Sequence, residues 1–325
     1  MAQVQTGAWT TQQNLVSTLR TFLLQLSTAW TIDNWEDDST PILEAHVGNL
    51  YIQLEGDGTS IAVHQSLGYD GSGPGSEPDD SGNGGLGTAN RQVEAIGDSG
   101  VNYWFYGPLA GSEDFVYIVV EYATGFYRHF GFGNLIKAND YTGGEFAYGG
   151  CWDQGATNID LANSSSHSVL IDQGSGIAGQ SATVHVEGLT DEPDVDTKWG
   201  VVTLTTSAGN DGNGDPRWLL TGGVRGGPYV AFAAIRASAL DGLFPGIPIK
   251  VWSRYTGSTP HRWTLLGTMP YARVVQMGLI DPQDTFSVGG ETWRVFPAAR
   301  KVYITPEGTS GTEESWNLGI AYRES

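Results

Sequence analysis

The sequence is poor in cysteine and in cations. Its only cysteine, Cys151, can form no intramolecular disulfide and leaves no thiolate pair for a zinc site, so a disulfide-stapled secreted module is excluded. There are 16 Lys and Arg against 36 Asp and Glu, giving a formal net charge of −20. Binding to nucleic acid or to an anionic membrane surface requires clustered cations, so this balance argues against specific nucleic-acid and membrane-surface partners.

Long apolar runs are also missing. No stretch approaches the 18 consecutive apolar residues of a transmembrane helix, so we expect no membrane insertion. Residues 1–7 lack the cationic start and small-residue cleavage site of a signal peptide. We therefore expect synthesis in a cytoplasm.

Glycine and aromatic residues are what the chain has in quantity. It contains 46 Gly among 325 residues, together with 11 Trp, 14 Tyr and 11 Phe. Charged residues make up 16%, against about 25% in an average soluble protein. This composition predicts tight turns between well-packed strands, in one large or two medium domains.

Charge is distributed unevenly along the chain. Residues 1–216 hold 5 cations and 28 acids, a net of −23, whereas residues 217–325 hold 11 cations and 8 acids, a net of +3. With the Gly-rich, polar stretch 207–216, this predicts an acidic β-rich domain over 1–215 and a β-rich C-terminal domain over 216–325, a single domain being the alternative. The acidic loops are interpreted as solvated faces, or as contacts between the acidic part of one copy and the basic part of the next.

One amphipathic helix is predicted near the start, over about residues 11–29. Its apolar side chains recur every three or four residues, at Leu15, Val16, Leu19, Phe22, Leu23, Leu26 and Trp30. Thr10 and Gln13 have the spacing of a capping box. We expect this helix to pack on a sheet, with docking into a neighbouring subunit as the alternative.

The rest of the chain predicts a mainly β fold of sandwich-like or barrel-like sheets with long Gly-rich loops. Residues 46–55 and 59–65 form a predicted hairpin around 56–58, and 68–90 a long loop. Runs 101–106, 114–122 and 124–135 are so continuously apolar that their sheet should be covered on both faces, by a second sheet or by another chain. Gly131 and Gly133 suggest a bent or bulged strand. Further strands are predicted at 168–172, 181–187, 199–206, 229–237, 249–255, 263–266, 292–296 and 301–304.

The motifs that carry catalysis or cofactor binding fail on context. G-x-G-x-x-G occurs at 82–87 with no strand before it, and at 174–179 with another strand after it, where a phosphate site needs the N-terminus of a helix. Asp211, Asn213 and Asp215 have calcium-loop spacing without the required glycine and final acid. Cys151 has no local catalytic signature and is interpreted as a small packed side chain. The six histidines lie far apart, at His46, His64, His129, His167, His185 and His261. We assign no catalytic, cofactor-binding or metal-binding residue.

Three segments carry a resemblance to a known class of proteins. They are residues 127–137 (YRHFGFGNLIK) with 141–146 (YTGGEF), residues 273–280 (RVVQMGLI) with 286–301 (FSVGGETWRVFPAARK), and residues 316–323 (WNLGIAYR). These segments resemble segments of virion structural proteins of tailed bacteriophages, of the kind found in tails and baseplates. The resemblance implies a non-enzymatic subunit located in the virion and contacting copies of itself and other virion proteins.

The composition is also compatible with two functions other than a structural subunit. The surplus of Trp and Tyr fits a tail component that binds a host-surface receptor or glycan by stacking on sugar rings. A polysaccharide or cell-wall hydrolase would need two carboxylates converging on a cleft, and sequence alone does not establish such a pair.

Overall fold

The structure is a computed structural model that describes residues 3–66, 91–93, 96–108, 113–149, 182–187, 199–202, 217–220, 246–255, 262–277, 280–297 and 318–325. Several predicted features lie outside these residues, among them the 68–90 loop, Cys151, the stretch 207–216 and the runs 168–172, 229–237 and 301–304. The domain boundary near residue 215 therefore stays a prediction.

The described residues form one α-helix and 19 β-strands. The helix is α1 (Gln12–Gln25). The strands are β1 (Gln3–Ala8), β2 (Thr31–Glu36), β3 (Ile42–Val47), β4 (Leu50–Gly56), β5 (Ile61–Ser66), β6 (Arg91–Val93), β7 (Asn102–Gly107), β8 (Phe115–Ala123), β9 (Phe126–Asn134), β10 (Ile136–Lys137), β11 (Thr142–Gly149), β12 (Ala182–Glu187), β13 (Trp199–Val202), β14 (Arg217–Leu220), β15 (Ile247–Tyr255), β16 (Arg262–Gln276), β17 (Thr285–Val288), β18 (Glu291–Pro297) and β19 (Leu318–Arg323).

These strands build three antiparallel sheets, which confirms the predicted mainly β, sandwich-like class. The central sheet has the order β1-β7-β8-β9-β11-β12-β13. The C-terminal sheet has the order β14-β15-β16-β19-β18-β17, with β10 paired to β16. The N-terminal sheet runs β2-β3-β4-β5-β6.

The central sheet is covered on both faces. Along β8, Tyr117 and Val119 pack against the C-terminal sheet, while the intervening Ile118 and its neighbours Val116 and Val120 pack against α1 and the N-terminal sheet. Side chains alternate across a strand, so a strand buried on both faces is apolar at nearly every position. The apolar run 114–122 is continuous because both faces of β8 are buried. The C-terminal sheet covers one face, and α1 with the N-terminal sheet covers the other.

The two interlayer cores are rich in large side chains. The core between the central and C-terminal sheets joins Trp104, Tyr106, Phe115, Tyr117, Tyr148, Ile249, Leu266, Phe296 and Tyr322, among others. It therefore combines strands that precede residue 215 with strands that follow it. The core on the other face joins Leu15, Leu19, Phe22, Leu43, Ile52, Phe105, Ile118 and Phe132, among others.

Helix α1 exists but is shorter than predicted. It ends at Gln25, and Trp30 lies beyond its end while remaining buried. The Thr10–Gln13 capping box is wrong, because the N-cap is Thr11, whose hydroxyl accepts a hydrogen bond from the Asn14 N–H at 3.0 Å. The cap and the backbone donor that it satisfies both lie one residue later than predicted.

The hairpin predicted over residues 46–65 is confirmed at its turn, but its first strand is wrong. β4 and β5 pair across residues 57–60 as expected. The run 46–55 is not one strand, however, because Gly48 and Asn49 form a tight turn between β3 and β4. Gly48 has φ +57°, which glycine adopts without a steric penalty.

The predicted bulge at Gly131 and Gly133 is also wrong. Both residues sit in regular register with β8. A Cβ added to Gly131 would lie 2.6 Å from the Val116 carbonyl oxygen, and one on Gly133 would lie 2.7 Å from the Asp114 carbonyl oxygen. Glycine at these two positions allows the backbone of β9 to lie close to the backbone around β8.

Candidate functional site

The most strongly positioned titratable side chain is His129, at the middle of β9. It is fully buried and points toward the C-terminal sheet. Its Nε2 lies 2.8 Å from the carbonyl oxygen of Pro297, and its Nδ1 lies 2.9 Å from the hydroxyl oxygen of Tyr322. A carbonyl only accepts, so Nε2 carries the proton and donates it. In the neutral ring, Nδ1 then accepts from the Tyr322 hydroxyl, so the two partners fix the tautomer.

Further hydrogen bonds tie the two sheets together around this histidine. The Tyr148 hydroxyl lies 3.4 Å from that of Tyr322, and the Tyr117 hydroxyl donates to the Pro270 carbonyl oxygen at 2.7 Å. The Gln283 side-chain amide donates to the Tyr127 hydroxyl at 2.9 Å. We call the set the interlayer clasp: Tyr117, Tyr127, His129 and Tyr148 on the central sheet, with Pro270, Gln283, Pro297 and Tyr322 opposite.

Aromatic rings fill the space around the clasp. The Tyr322 ring stacks on Tyr106 at a centroid distance of 5.1 Å and lies 5.2 Å from Tyr117. The Phe296 ring lies 4.8 Å from the Trp104 ring. Such pairs contribute about 0.5–1.5 kcal/mol each beyond their burial, so the rings around the clasp add to the stability of the contact between the two sheets.

Burial controls the protonation of the clasp. It lowers the pKa of His129 from 6.5 to about 4; the hydrogen bond to Pro297 opposes this shift, and the charge of Arg128 adds to it. Burial also raises the pKa of Tyr117, Tyr148 and Tyr322 well above the usual value for tyrosine. All four groups are therefore neutral near pH 7. The arrangement is suited to holding two sheets in register, since its polar atoms are occupied by one another.

A second buried polar group orders the start of the helix. Gln12 is fully buried; its side-chain amide donates to the Gly97 carbonyl oxygen and its Oε1 accepts from the Gly58 N–H, both at 2.9 Å. The Gln12 backbone N–H donates to the Asp98 carboxylate, also at 2.9 Å. Because the free N–H groups of a first helical turn attract negative charge, Asp98 stabilises this end. Gln12 thus joins α1 to the β4–β5 turn.

The outer face of the N-terminal sheet, opposite the face that packs against α1, carries a row of polar side chains, of which Glu44 and Gln53 are buried. His46 contacts Asp33, with Nδ1 2.7 Å from a carboxylate oxygen, and stacks on the Tyr51 ring at 4.6 Å. In the adjacent row, Gln53 lies opposite Glu44 on one side and His64 on the other. The Nε2 atom of Gln53 is buried without a hydrogen-bond partner. This face combines an aromatic ring with hydrogen-bonding groups.

The structure does not bring the described histidines of the sequence analysis together in one site. His46 and His64 lie on the N-terminal sheet, His129 in the clasp, and His185 within β12. The other candidates lie outside the described residues: His167, His261, Cys151, the calcium-like spacing at 211–215 and both G-x-G-x-x-G motifs. Among the described residues, no group of three or more His, Cys, Asp or Glu could hold a metal ion. No helix in the same part of the chain is long and apolar enough to cross a membrane.

Sequence reasoning missed the clasp because its partners are far apart in the chain. His129 and Pro297 are separated by 168 positions, and His129 and Tyr322 by 193. No local spacing connects them. The available signal was the placement of His129 in the aromatic-rich run 126–132, since a histidine among aromatic residues of a strand is typically buried and hydrogen-bonded.

Comparison with known proteins gives no family. No protein-family model matches the chain, and no curated protein matches its sequence.

Proposed function

We propose that this protein is a non-enzymatic structural subunit of a tailed-bacteriophage virion, placed in the tail or baseplate and acting by protein–protein assembly. One observation carries the proposal: the three segments that resemble phage virion proteins meet at a single point. His129 comes from the first segment, Pro297 from the second and Tyr322 from the third, and they are joined by hydrogen bonds of 2.8 and 2.9 Å.

The use of the buried polar groups supports a structural role. Strongly shifted pKa values often mark active sites, but structural networks shift them as well. Here both ring nitrogens of His129 are engaged by groups that join two sheets. Gln12 similarly joins α1 to the β4–β5 turn. These side chains hold layers in place, which is what a subunit under mechanical load requires.

An ordered acidic turn offers a surface for contact with a neighbour. Glu36, Asp37 and Asp38 are exposed at the end of β2. The Asp38 carboxylate accepts from the Thr40 N–H at 2.8 Å, and Asp37 accepts from the Gln13 side-chain amide at 2.8 Å. Because the C-terminal third of the chain is net positive, head-to-tail contact between copies would bring opposite charges together.

A second candidate is the receptor-binding or glycan-binding tail component. The observation in its favour is the outer face of the N-terminal sheet, where Gln53 has a buried donor without a partner near the stacked rings of His46 and Tyr51. Such a subunit would also be part of the virion. It would adsorb to host cells, and Gln53→Ala would weaken adsorption without changing assembly.

The proposal is tested by the mass and shape of the purified chain. Light scattering should give the mass of a defined oligomer or polymer, and negative-stain imaging should show its symmetry. Gold-labelled antibodies raised against the chain should then bind the tails of particles of the phage that carries its gene. A chain that stays monomeric at every concentration, and antibodies that label no particle, would overturn the proposal.

A further inference from the structure

The three sheets differ in how their edges are protected. Unpaired edge strands invite pairing with another chain, and proteins usually shorten, bend or charge them. The edge strands of the described sheets are β1 and β13, β2 and β6, and β14 and β17. Four of them, β6, β13, β14 and β17, have only three or four residues. β2 has six residues, but it carries Asp33 and Glu36 and a register shift between Ile32 and Asn34.

β1 has none of these protections. Its six residues, Gln-Val-Gln-Thr-Gly-Ala, contain no charge and no proline. All six pair with β7 without a register shift, from Gln3 opposite Gly107 to Ala8 opposite Asn102. No other described strand pairs with β1, so one of its sides is unpaired within the described part of the chain. A straight, neutral edge of this length is a template for another strand.

Side chains on both faces of β1 contact the rest of the molecule. Val4 packs against the core beneath the C-terminal sheet. The Gln5 side-chain amide donates to the Tyr103 hydroxyl at 3.2 Å, and a Cβ on Gly7 would lie 2.7 Å from that same oxygen. Thr6 and Ala8 are exposed. The strand is thus already ordered in the conformation that pairing needs, which lowers the entropic cost of association.

We propose that β1 pairs antiparallel with β1 of a second copy, so that two central sheets become one continuous sheet. The inference deepens the proposed function and rests on it, since it names the partner and the contact. Two antiparallel copies of one edge strand are related by a twofold axis normal to the sheet. Such an axis keeps each face of the sheet on its own side, so the layers that cover the central sheet continue across the contact.

The twofold axis also restricts the register. Opposed residues must point to the same face, so even-numbered residues face even-numbered ones. Thr6 opposite Thr6 is the register we infer, because threonine pairs are favourable across strands. It places Gln5 opposite Gly7 of the second copy, where the glycine leaves space for the side chain that contacts Tyr103.

Charge favours this edge for contact between two copies. Each copy has a net charge of −20, which opposes association in general. β1 carries no charged residue, and neither does its neighbour β7, whose sequence is Asn-Tyr-Trp-Phe-Tyr-Gly. Pairing at this edge therefore brings no like charges of β1 or β7 close together.

The first test adds one charge to this edge. Thr6→Lys should abolish pairing, and light scattering should show that the mass of the species falls to half or less. Thr31→Lys is the matched control, because Thr31 is also an exposed threonine on an edge strand and the added charge is identical. The control should keep the wild-type mass. Circular dichroism and thermal melting of both variants report whether the fold is retained.

The second test does not depend on weakening the contact. In a Cys151→Ala background, Thr6→Cys should form an intermolecular disulfide on mild oxidation, whereas Ala8→Cys, which opposes Val4, should form much less. A wild-type oligomer that Thr6→Lys leaves intact, with no Thr6→Cys cross-link, overturns the β1 contact and leaves the proposed function standing. A chain that is monomeric at every concentration overturns both.

Discussion

The Nδ1 atom of His129 lies 2.9 Å from the hydroxyl oxygen of Tyr322, at a point where two sheets built from distant parts of the chain meet. Both residues are fully buried. The ring also donates to the Pro297 carbonyl oxygen, so one side chain satisfies a hydroxyl and a backbone carbonyl that water cannot reach. Unfilled, each of these groups would cost about 1–3 kcal/mol, which makes the interaction a determinant of how the sheets align.

Replacing the histidine by phenylalanine should test the contribution of the clasp. His129→Phe keeps a ring but leaves the Tyr322 hydroxyl and Pro297 carbonyl without their partner, and we expect the free energy of unfolding to fall by about 2–4 kcal/mol. Urea denaturation measures the change. The control is His46→Phe, since His46 is partly exposed and its contact with Asp33 should be worth less than about 1 kcal/mol. Equal losses for the two variants would contradict the prediction.

The clasp should also make stability depend on pH. The pKa of His129 is about 4 in the folded chain and about 6.5 unfolded, so between these values the unfolded chain binds a proton that the folded chain does not. The free energy of unfolding should therefore fall as pH falls from about 6.5 to 4, by about 3 kcal/mol in total from this residue. The contribution of His129 should change no further below about pH 4, where both states are protonated at this position.

His129→Gln isolates that contribution, because a glutamine amide can donate and accept but does not titrate. Denaturation of both proteins at a series of pH values gives the measurement. The difference in unfolding free energy between wild type and variant should shrink as pH falls through the window. A constant difference would mean that His129 is already protonated, or is not buried.

Gln12 should be the most sensitive polar residue of the helix. Gln12→Ala removes the partners of the Gly97 carbonyl and the Gly58 N–H, and we expect a loss of about 2–4 kcal/mol in unfolding free energy. Gln13→Ala is the matched control, because the neighbouring side chain makes an exposed hydrogen bond to Asp37. It should change stability by less than about 0.5 kcal/mol. Similar effects at the two positions would show that the buried bonds to Gly58 and Gly97 contribute little.

Gly131 should not tolerate a side chain. In Gly131→Ala the new Cβ would meet the Val116 carbonyl oxygen at 2.6 Å, and backbone cannot move aside as a flexible side chain can. We expect destabilisation of about 1–3 kcal/mol, measured by thermal melting. Gly289→Asn is the control, because that turn residue has φ +61° with open space around it and asparagine tolerates this conformation. A melting temperature unchanged by Gly131→Ala would contradict the close approach of β8 and β9.

Local patterns in the sequence determined much of the fold. The three-and-four spacing from Leu15 to Leu23 indicated α1, and the apolar run of β8 indicated a strand buried on both sides. The glycine pair at 289 and 290 has the composition of a tight turn, and both residues have positive φ between β17 and β18. These features follow from periodicity and turn chemistry, which act over a few residues.

Other features were decided by tertiary structure alone. β1 was missed because Gln3–Ala8 has no apolar period, and it is a strand because it pairs with β7, about 100 residues away along the chain. The partners of His129 could not be found from its neighbours in the sequence, since Pro297 and Tyr322 reach it only after the C-terminal sheet has packed on the central one. The sequence by itself therefore determined the helix, the strands with a clear local pattern such as β8, and which of their faces are apolar. Which strands became neighbours, and which buried polar groups found partners, depended on long-range packing that no short window of sequence contains.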